Sequence, residues 1–402
     1  MQKLLTSFIV LLSIQCYSQS WQSLTNLSTG VNTGVYFTDA NTGFVAGDNG
    51  QIEKTTDGGV NWTMLTTGVS SHVSHLHFIS NDTGYAVGAN GIALRTVNGG
   101  TSWNSMNTGT GNTLPFIGST NGSALYIAGY NGMILKSTDK GTTWTSQSSG
   151  TSQPLYGIYF TSPNTGYAVG NAGVILKTTD AGQTWSPLIT GTSMQLLSVF
   201  FINSNTGFAV GGSQGSNTGV ILKTTDAGAT WNSQTFSNNF FGSVKFISNT
   251  LGFVTGGSIT GNTSTILKTI DGGTNWTTET TSSNRQYGSH FPTPNVGYTC
   301  GLNGTVLKLT DFNSIDNLTS TNINIVVSPS PSAGFITFSG FDTQAEYYIE
   351  IFDLSGKLIQ QKTVLNSNES IDLTNETSGI YFYKIKSSEK SNIQQGKLII
   401  QK

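Results

Sequence analysis

The stretch ILKTTDAGQTW (residues 175–185) sets Asp180 in a turn of small residues, flanked by threonines and followed by Trp185. The same phrase returns as TTDGGVNW, TVNGGTSW, STDKGTTW, TTDAGATW and TIDGGTNW, each ending on a tryptophan. The tryptophans Trp21, Trp62, Trp103, Trp144, Trp185, Trp231 and Trp276 are separated by 41, 41, 41, 41, 46 and 45 residues. A second phrase recurs between them, as NTGFVAGDNG, DTGYAVGANG and NTGYAVGNAG. Self-similarity at this period is the signature of a repeat architecture.

Each unit splits into four short apolar runs. In the fourth unit they are LYGIYF, GYAVG, GVILKTT and TWSPLI, joined by TSPNTG, NAG and DAGQ. Short β runs broken by Asn-Gly and Asp-Gly type turns read as successive hairpins. Four strands per repeat predict the blades of a β-propeller. Units five and six are longer in one place, where GGSQGSNTGV and GGSITGNTST replace GNAGV, so their second-to-third strand loops (211–219 and 256–265) should project from one face. The phase predicts how the ring closes. Trp21 opens a fourth-strand segment with no first three strands before it, while GSHF, VGYTCG and GTVLKLTD supply three strands with no tryptophan after them. The expectation is an all-β, seven-bladed propeller whose last blade borrows the N-terminal strand, leaving no open sheet edge.

Composition agrees with that class. Charged residues make up 9% of the 402, and 49 are glycine, which suits many turns and few solvated helices. A net charge of −2 offers no basic field for nucleic acid. The start, MQKLLTSFIVLLSIQCYSQS, has the Lys3 charge, apolar run and small residues of a secretory signal, cleaved after Ser18. Gln15 before Cys16 fits a lipoprotein signal poorly. No later apolar run is long enough to span a bilayer, and with Cys16 removed Cys300 has no disulfide partner.

Asp180 can be a catalyst or a tie. A carboxylate in a tight turn accepts backbone N–H groups one to three residues ahead, and Gly182 permits the positive φ that the turn needs. Asp57, Asp139, Asp226 and Asp271 hold the same place, and Asn98 holds it in the second unit. Asparagine offers the same acceptor oxygen but no general acid. The aspartates therefore read as turn ties, with no catalytic residue assigned. The phrase resembles the Asp-box, or BNR repeat, of sialidases, some glycoside hydrolases and propellers of the photosystem II stability and assembly factor group. The run TGYAVGNAGVILKTTDAGQTW resembles that last group most, over residues 21–311. The resemblance implies the propeller fold, and in that group the chaperoning of a membrane partner.

Sialidase-like chemistry would need three arginines on a substrate carboxylate, and the chain has two, Arg95 and Arg285. A paired-carboxylate hydrolase is thinly supplied outside the boxes, by Asp39, Asp48, Asp82, Glu53, Glu279 and Asp311. His72, His75 and His77 crowd into SHVSHLHF but have no cysteine and only distant carboxylates to complete a metal shell. His77 aligns with Tyr36, Tyr159, Phe200, Lys245 and His290, so the histidines read as inner-strand residues near the channel, and no metal and no cofactor is expected. One constellation repeats in every third strand: Lys54, Arg95, Lys136, Lys177, Lys223, Lys268 and Lys308. It reads either as a basic ring for a polyanion or acidic peptide, or as stems packed between blades with ammonium groups on nearby carbonyls or Asp-box acids.

Near residue 313 the composition shifts, from 21 charged residues in 21–313 to 15 in the 78 residues of 325–402. The expected organisation is a signal peptide over 1–18, the propeller over 19–312, a polar linker over 313–324 and a small β-sandwich over 325–402. SPSPSAG (328–334), YIEIFDLSGKLI (348–359), IDL (371–373), SGIYFYKI (378–385) and KLIIQK (397–402) resemble the C-terminal sorting domain of the type IX secretion system, with Ser330 where that pattern more often has asparagine. The resemblance implies export through that machinery, followed by surface attachment or release. The reading is a monomeric, secreted or surface-held binding module for a carbohydrate or protein, without a membrane span. The alternatives are an Asp-box glycoside hydrolase and a structural or adhesive surface component.

Overall fold

The computed structural model describes residues 20–24, 27, 30–120, 124–280, 284–310, 325–328, 332–341, 347–353, 357–364, 366–387 and 394–402. The expected signal peptide with Cys16, the linker 313–324 and Asp311 lie outside these. The chain divides into two compact units, one spanning Ser18–Thr310 and the other including Asp311–Lys402.

The first unit is built of seven four-stranded antiparallel sheets. Blade 4 is typical, with strands Leu155–Phe160, Gly166–Gly170, Ile175–Thr178 and Ser186–Pro187 in spatial order. The outermost strand is shorter than the sequence suggests, because Trp185 belongs to the turn before it and packs inward with 7% of its surface exposed. Gly166–Gly170 is buried along its whole length, as is the second strand of blades 1 and 2, because a sheet sits against each face. That double burial explains why GYAVG reads as an unbroken apolar run.

Each neighbouring pair of blades shares one apolar cluster. Phe44, Leu76 and Trp103 join blades 1 and 2, and Phe208, Val244 and Leu267 join blades 5 and 6. The ring closes through Phe37 and Val45 of blade 1 against Tyr298 and Val306 of blade 7. Ser20–Leu24 is the fourth strand of blade 7, with Ser20 opposite Thr310 and Leu24 opposite Val306. Trp21 packs edge-on against Phe253 and Phe291. The ends of the propeller are thus laced by an antiparallel ladder that completes blade 7 to four strands.

The first strands face one another around the axis. In six blades the innermost strand carries a bulge near its start, for example between Leu155 and Gly157. A bulge adds one residue and shifts the inside–outside alternation, so the burial of Leu155–Phe160 is not strictly period two. Gly242 sits in such a bulge, where a Cβ would come within 2.3 Å of the Tyr287 carbonyl in the next blade. The inner wall therefore needs backbone-to-backbone contact there.

The second unit is a two-sheet sandwich. Val326–Ser328, Phe335–Ser339 and Asn368–Asp372 form one sheet, and Leu358–Val364, Tyr347–Phe352, Gly379–Ser387 and Gln394–Ile400 form the other. Tyr347–Phe352 alternates buried and partly buried positions, so that Ile349 and Ile351 meet Phe338 and Ile371 in one core.

Candidate functional site

The Asp-box turns show where the recurring carboxylates go. Asp180 Oδ1 accepts the Thr178 hydroxyl at 2.8 Å and the Thr184 amide at 2.9 Å, and Oδ2 accepts the Thr184 hydroxyl at 2.6 Å. The Thr178 hydroxyl oxygen in turn accepts the buried Gly182 amide at 2.9 Å. The amide partner is four residues ahead, beyond the span read from sequence, because Ala181 (φ 59°) and Gly182 (φ 85°) both take the left-handed conformation and widen the turn. Asp57, Asp139, Asp226 and Asp271 are held in the same way. Asn98 keeps the two acceptor contacts and donates its Nδ2 to the Ser102 hydroxyl at 3.0 Å. Trp62, Trp103, Trp144, Trp185, Trp231 and Trp276 follow these turns and join the apolar clusters between blades.

These hydrogen bonds favour the ionised form and hold all five carboxyls at about 2, below the ordinary 3.8. A carboxylate depressed on folding stabilises the fold above its unfolded pKa, and that contribution disappears as pH falls through the folded value. The melting temperature of the propeller should therefore hold level from neutral pH down to about pH 4 and drop between pH 4 and 2. Replacing the five aspartates with asparagine should flatten that limb in a calorimetric pH series, since Asn98 already serves blade 2 without a titratable group.

Four of the seven third-strand cations bridge the seams between blades. Lys54 donates to Gly99 O at 2.7 Å, Lys136 to Ala181 O at 2.7 Å, Lys177 to Ala227 O at 2.8 Å and Lys308 to Gly58 O at 2.9 Å. Each of these reaches the Asp-box turn of the following blade, and Lys308 reaches from blade 7 to blade 1. Four of the second-strand tyrosines reach into the same seams, Tyr85 to Lys140 O, Tyr126 to Ala181 O, Tyr167 to Ala227 O and Tyr298 to Gly58 O. Lys268 pairs with Glu279 at 3.3 Å, Lys223 lies over the Phe208 ring, and Arg95 holds the same strand position in blade 2. The ammonium groups that donate to carbonyls act as clamps from one blade to the next.

The remaining carboxylates are dispersed. Asp39 caps its own turn, accepting Asn41 and Thr42 amides at 2.7 and 2.8 Å. Asp48 accepts the Val31 amide at 2.9 Å and meets His72 Nδ1 at 2.9 Å. Glu53 is buried within the third strand of blade 1, and Asp82 lies in a first-to-second strand turn. Among the described residues no three His, Cys, Asp or Glu side chains cluster as a metal site, and no helix is long and apolar enough to cross a membrane.

The first strands enclose a central cavity of about 450 Å³. Its lining includes His75, His77, Lys245 and His290 with Tyr36 and Tyr159, and contains no Asp or Glu among the described residues. His77 pairs with Tyr85, Lys245 with Phe253 and His290 with Tyr298, so all three stand at one level of the ladder. Aligning the first strands puts these residues in one column with Tyr36, Tyr159 and Phe200, the column expected near the channel from sequence.

The two enlarged loops meet each other. Asn217, itself 8% exposed, donates Nδ2 to the Ser258 hydroxyl at 3.0 Å and accepts the Ile259 amide at 3.0 Å. Residues 214–216 and 260–263 around this tie are exposed.

The family model for Photosynthesis system II assembly factor YCF48 matches residues 14–116, 61–151, 114–179 and 178–290. The chain belongs to the YCF48 family. A second family model, for the Secretion system C-terminal sorting domain, matches residues 326–401. The YCF48 propeller is thus joined to a type IX sorting tail, which marks the protein as secreted or held at the cell surface. Among solved structures the chain is similar to a YCF48 bound to D1 peptide, at 19% identity and a TM-score of 0.60 over 73% of this chain and 96% of that one. It is also similar to YCF48 from Cyanidioschyzon merolae, at 16% identity and 0.58 over 72% and 98%. A third likeness, to the WD40 β-propeller domain of Doa1, has 10% identity and a TM-score of 0.56 over 73% and 97%. At these identities the structures speak for the fold alone. No curated protein sequence matches.

Proposed function

We propose that this YCF48-family propeller, released from its signal peptide by cleavage after Ser18 and exported by its tail, is a monomeric recognition module without catalytic chemistry. It holds a carbohydrate or protein ligand on the face that carries loops 211–219 and 256–265. The observation that carries this reading is the Asn217 tie, which fuses two exposed polar loops from neighbouring blades into one shelf. Loops displayed on a rigid scaffold are where binding residues concentrate. The fate of the carboxylates supports the non-catalytic part, since the boxes use theirs as turn acceptors and Asp39, Asp48 and Glu279 are engaged locally. A solved relative carries a bound D1 peptide, which makes a peptide segment a suitable first probe. The export tail argues against chaperoning a photosystem partner in this chain.

The test is a glycan and peptide array read for both binding and bond cleavage. Replacing the enlarged turns with the short Asn171–Gly173 turn of blade 4 should abolish capture while the melting temperature stays close to that of the parent. Cleavage lost on mutating Asp48, Glu53 or Glu279 would establish the glycoside hydrolase instead. Adhesion unchanged by the shortened loops would establish the structural surface component.

A further inference from the structure

We propose that the central cavity is a binding site for a single carboxylate group, gripped by Lys245 and His290 from neighbouring blades. Lys245 makes no hydrogen bond or ion pair among the described residues, and its ammonium lies 5.6 Å from the centre of the Phe200 ring. A charged side chain enclosed by protein normally has a partner, because desolvating an unpaired charge is costly. Third-strand lysines illustrate the contrast, since Lys54, Lys136, Lys177 and Lys308 reach carbonyls.

His290 supplies the second donor. Its Nδ1 accepts the Phe37 amide at 3.3 Å, which places the ring proton on Nε2. Its ring also packs at a tilt against Tyr36, with ring centres 4.1 Å apart, so the imidazole is held in one orientation. In blade 2, His77 shares a hydrogen bond of 2.8 Å with the Ser119 hydroxyl, and His75 has a buried Nδ1 without a partner. The tyrosine hydroxyls at this level are already committed, Tyr36 to Phe78 O and Tyr159 to Phe201 O. Blade 3 has Gly118 at the level where other blades have a side chain, which leaves the axis open on that side.

The charge count selects the ligand. Burial holds His77 at about 4 and His290 at about 3, and pushes His75 down too, so the three imidazoles are neutral at pH 7. Lys245, drawn down to about 8 by the same burial, is the only cation on this level among the described residues. One positive charge between aromatic walls balances one negative charge on a flat group, which describes a carboxylate better than a phosphate dianion. The site lies along the axis and is independent of the loop shelf, so either can fail without the other.

Benzoate, glucuronate and inorganic phosphate should be titrated into the full chain at pH 6.5 by calorimetry. At least one carboxylate should bind saturably, and benzoate against glucuronate distinguishes a flat aryl acid from a uronic sugar. Lys245→Met should weaken that binding by more than about tenfold while the protein melts at or above the parent temperature, because an unpaired charge in the confined cavity is gone. Gly118→Leu should block it sterically. A Cβ at that position meets nothing nearer than 3.5 Å, so the variant is expected to fold. Affinity should also fall about tenfold per pH unit above pH 8 as Lys245 loses its proton. The proposal is overturned if neither carboxylate binds, if phosphate binds more tightly than both, or if Lys245→Met and Gly118→Leu leave the affinity unchanged.

Discussion

A chain lacking residues 20–24 should lose about 3–5 kcal/mol of propeller stability, the range for removing a packed aromatic side chain, before the lost ladder is counted. Ser20–Leu24 pairs residue by residue with Val306–Thr310, and Trp21 fits edge-on between Phe253 and Phe291 at 5.9 and 6.2 Å. Removing the strand bares the backbone donors and acceptors of Val306–Thr310. An unpaired edge of that kind templates association, so the truncated protein should also form dimers or larger species. Urea denaturation with size-exclusion chromatography separates the two effects. Trp21→Ala, which keeps the ladder, should destabilise but remain monomeric. A truncated protein that melts like the parent would mean that the ring holds through the contacts of blades 1 and 7 alone.

That strand was legible because incomplete repeats at the two ends of the sequence complement each other. The box turns were legible for a related reason: Asn98 in an aspartate position shows that the acceptor oxygen matters and the proton does not. The inner wall was half legible. Aligning the repeats put His77, Lys245 and His290 in one column near the channel. The bulges insert a residue and move the phase of each first strand, so which neighbours share the cavity with that column could not be drawn from spacing. The lysine clamps were half legible, since repetition pointed to packing, but the carbonyl partner lies about 45 residues away in the next blade and no local pattern reports it. The Gly-aromatic pairing between first and second strands was missed, though the glycine stands in the repeated phrase and the aromatic six residues before it.

That pairing carries the remaining large effect. Phe201, 2% exposed, stacks on Tyr167 at 4.0 Å and meets Trp231 edge-on at 6.2 Å. It also covers Gly207 opposite it in the ladder, where a Cβ would come within 2.5 Å of the ring. Phe37 with Gly43, Phe78 with Gly84, Phe160 with Gly166, Phe246 with Gly252 and Phe291 with Gly297 repeat the arrangement. Blade 3 solves the same packing differently, with Ser119 opposite Leu125, so the small and large residues trade strands. Leu125 is buried at 3% exposure, filling from the second strand what a phenylalanine fills elsewhere from the first. Phe201→Ser should therefore cost about 3–5 kcal/mol by opening a cavity, and Gly207→Leu about 1–3 kcal/mol or more by overpacking against the ring. Together they recreate the blade 3 pair in blade 5. The double variant should be more stable than the sum of the single losses, with a coupling of about 1–3 kcal/mol in a urea double-mutant cycle. Additive losses would mean that the two positions do not share one space, and that the Ser119–Leu125 exchange is a local accident of blade 3.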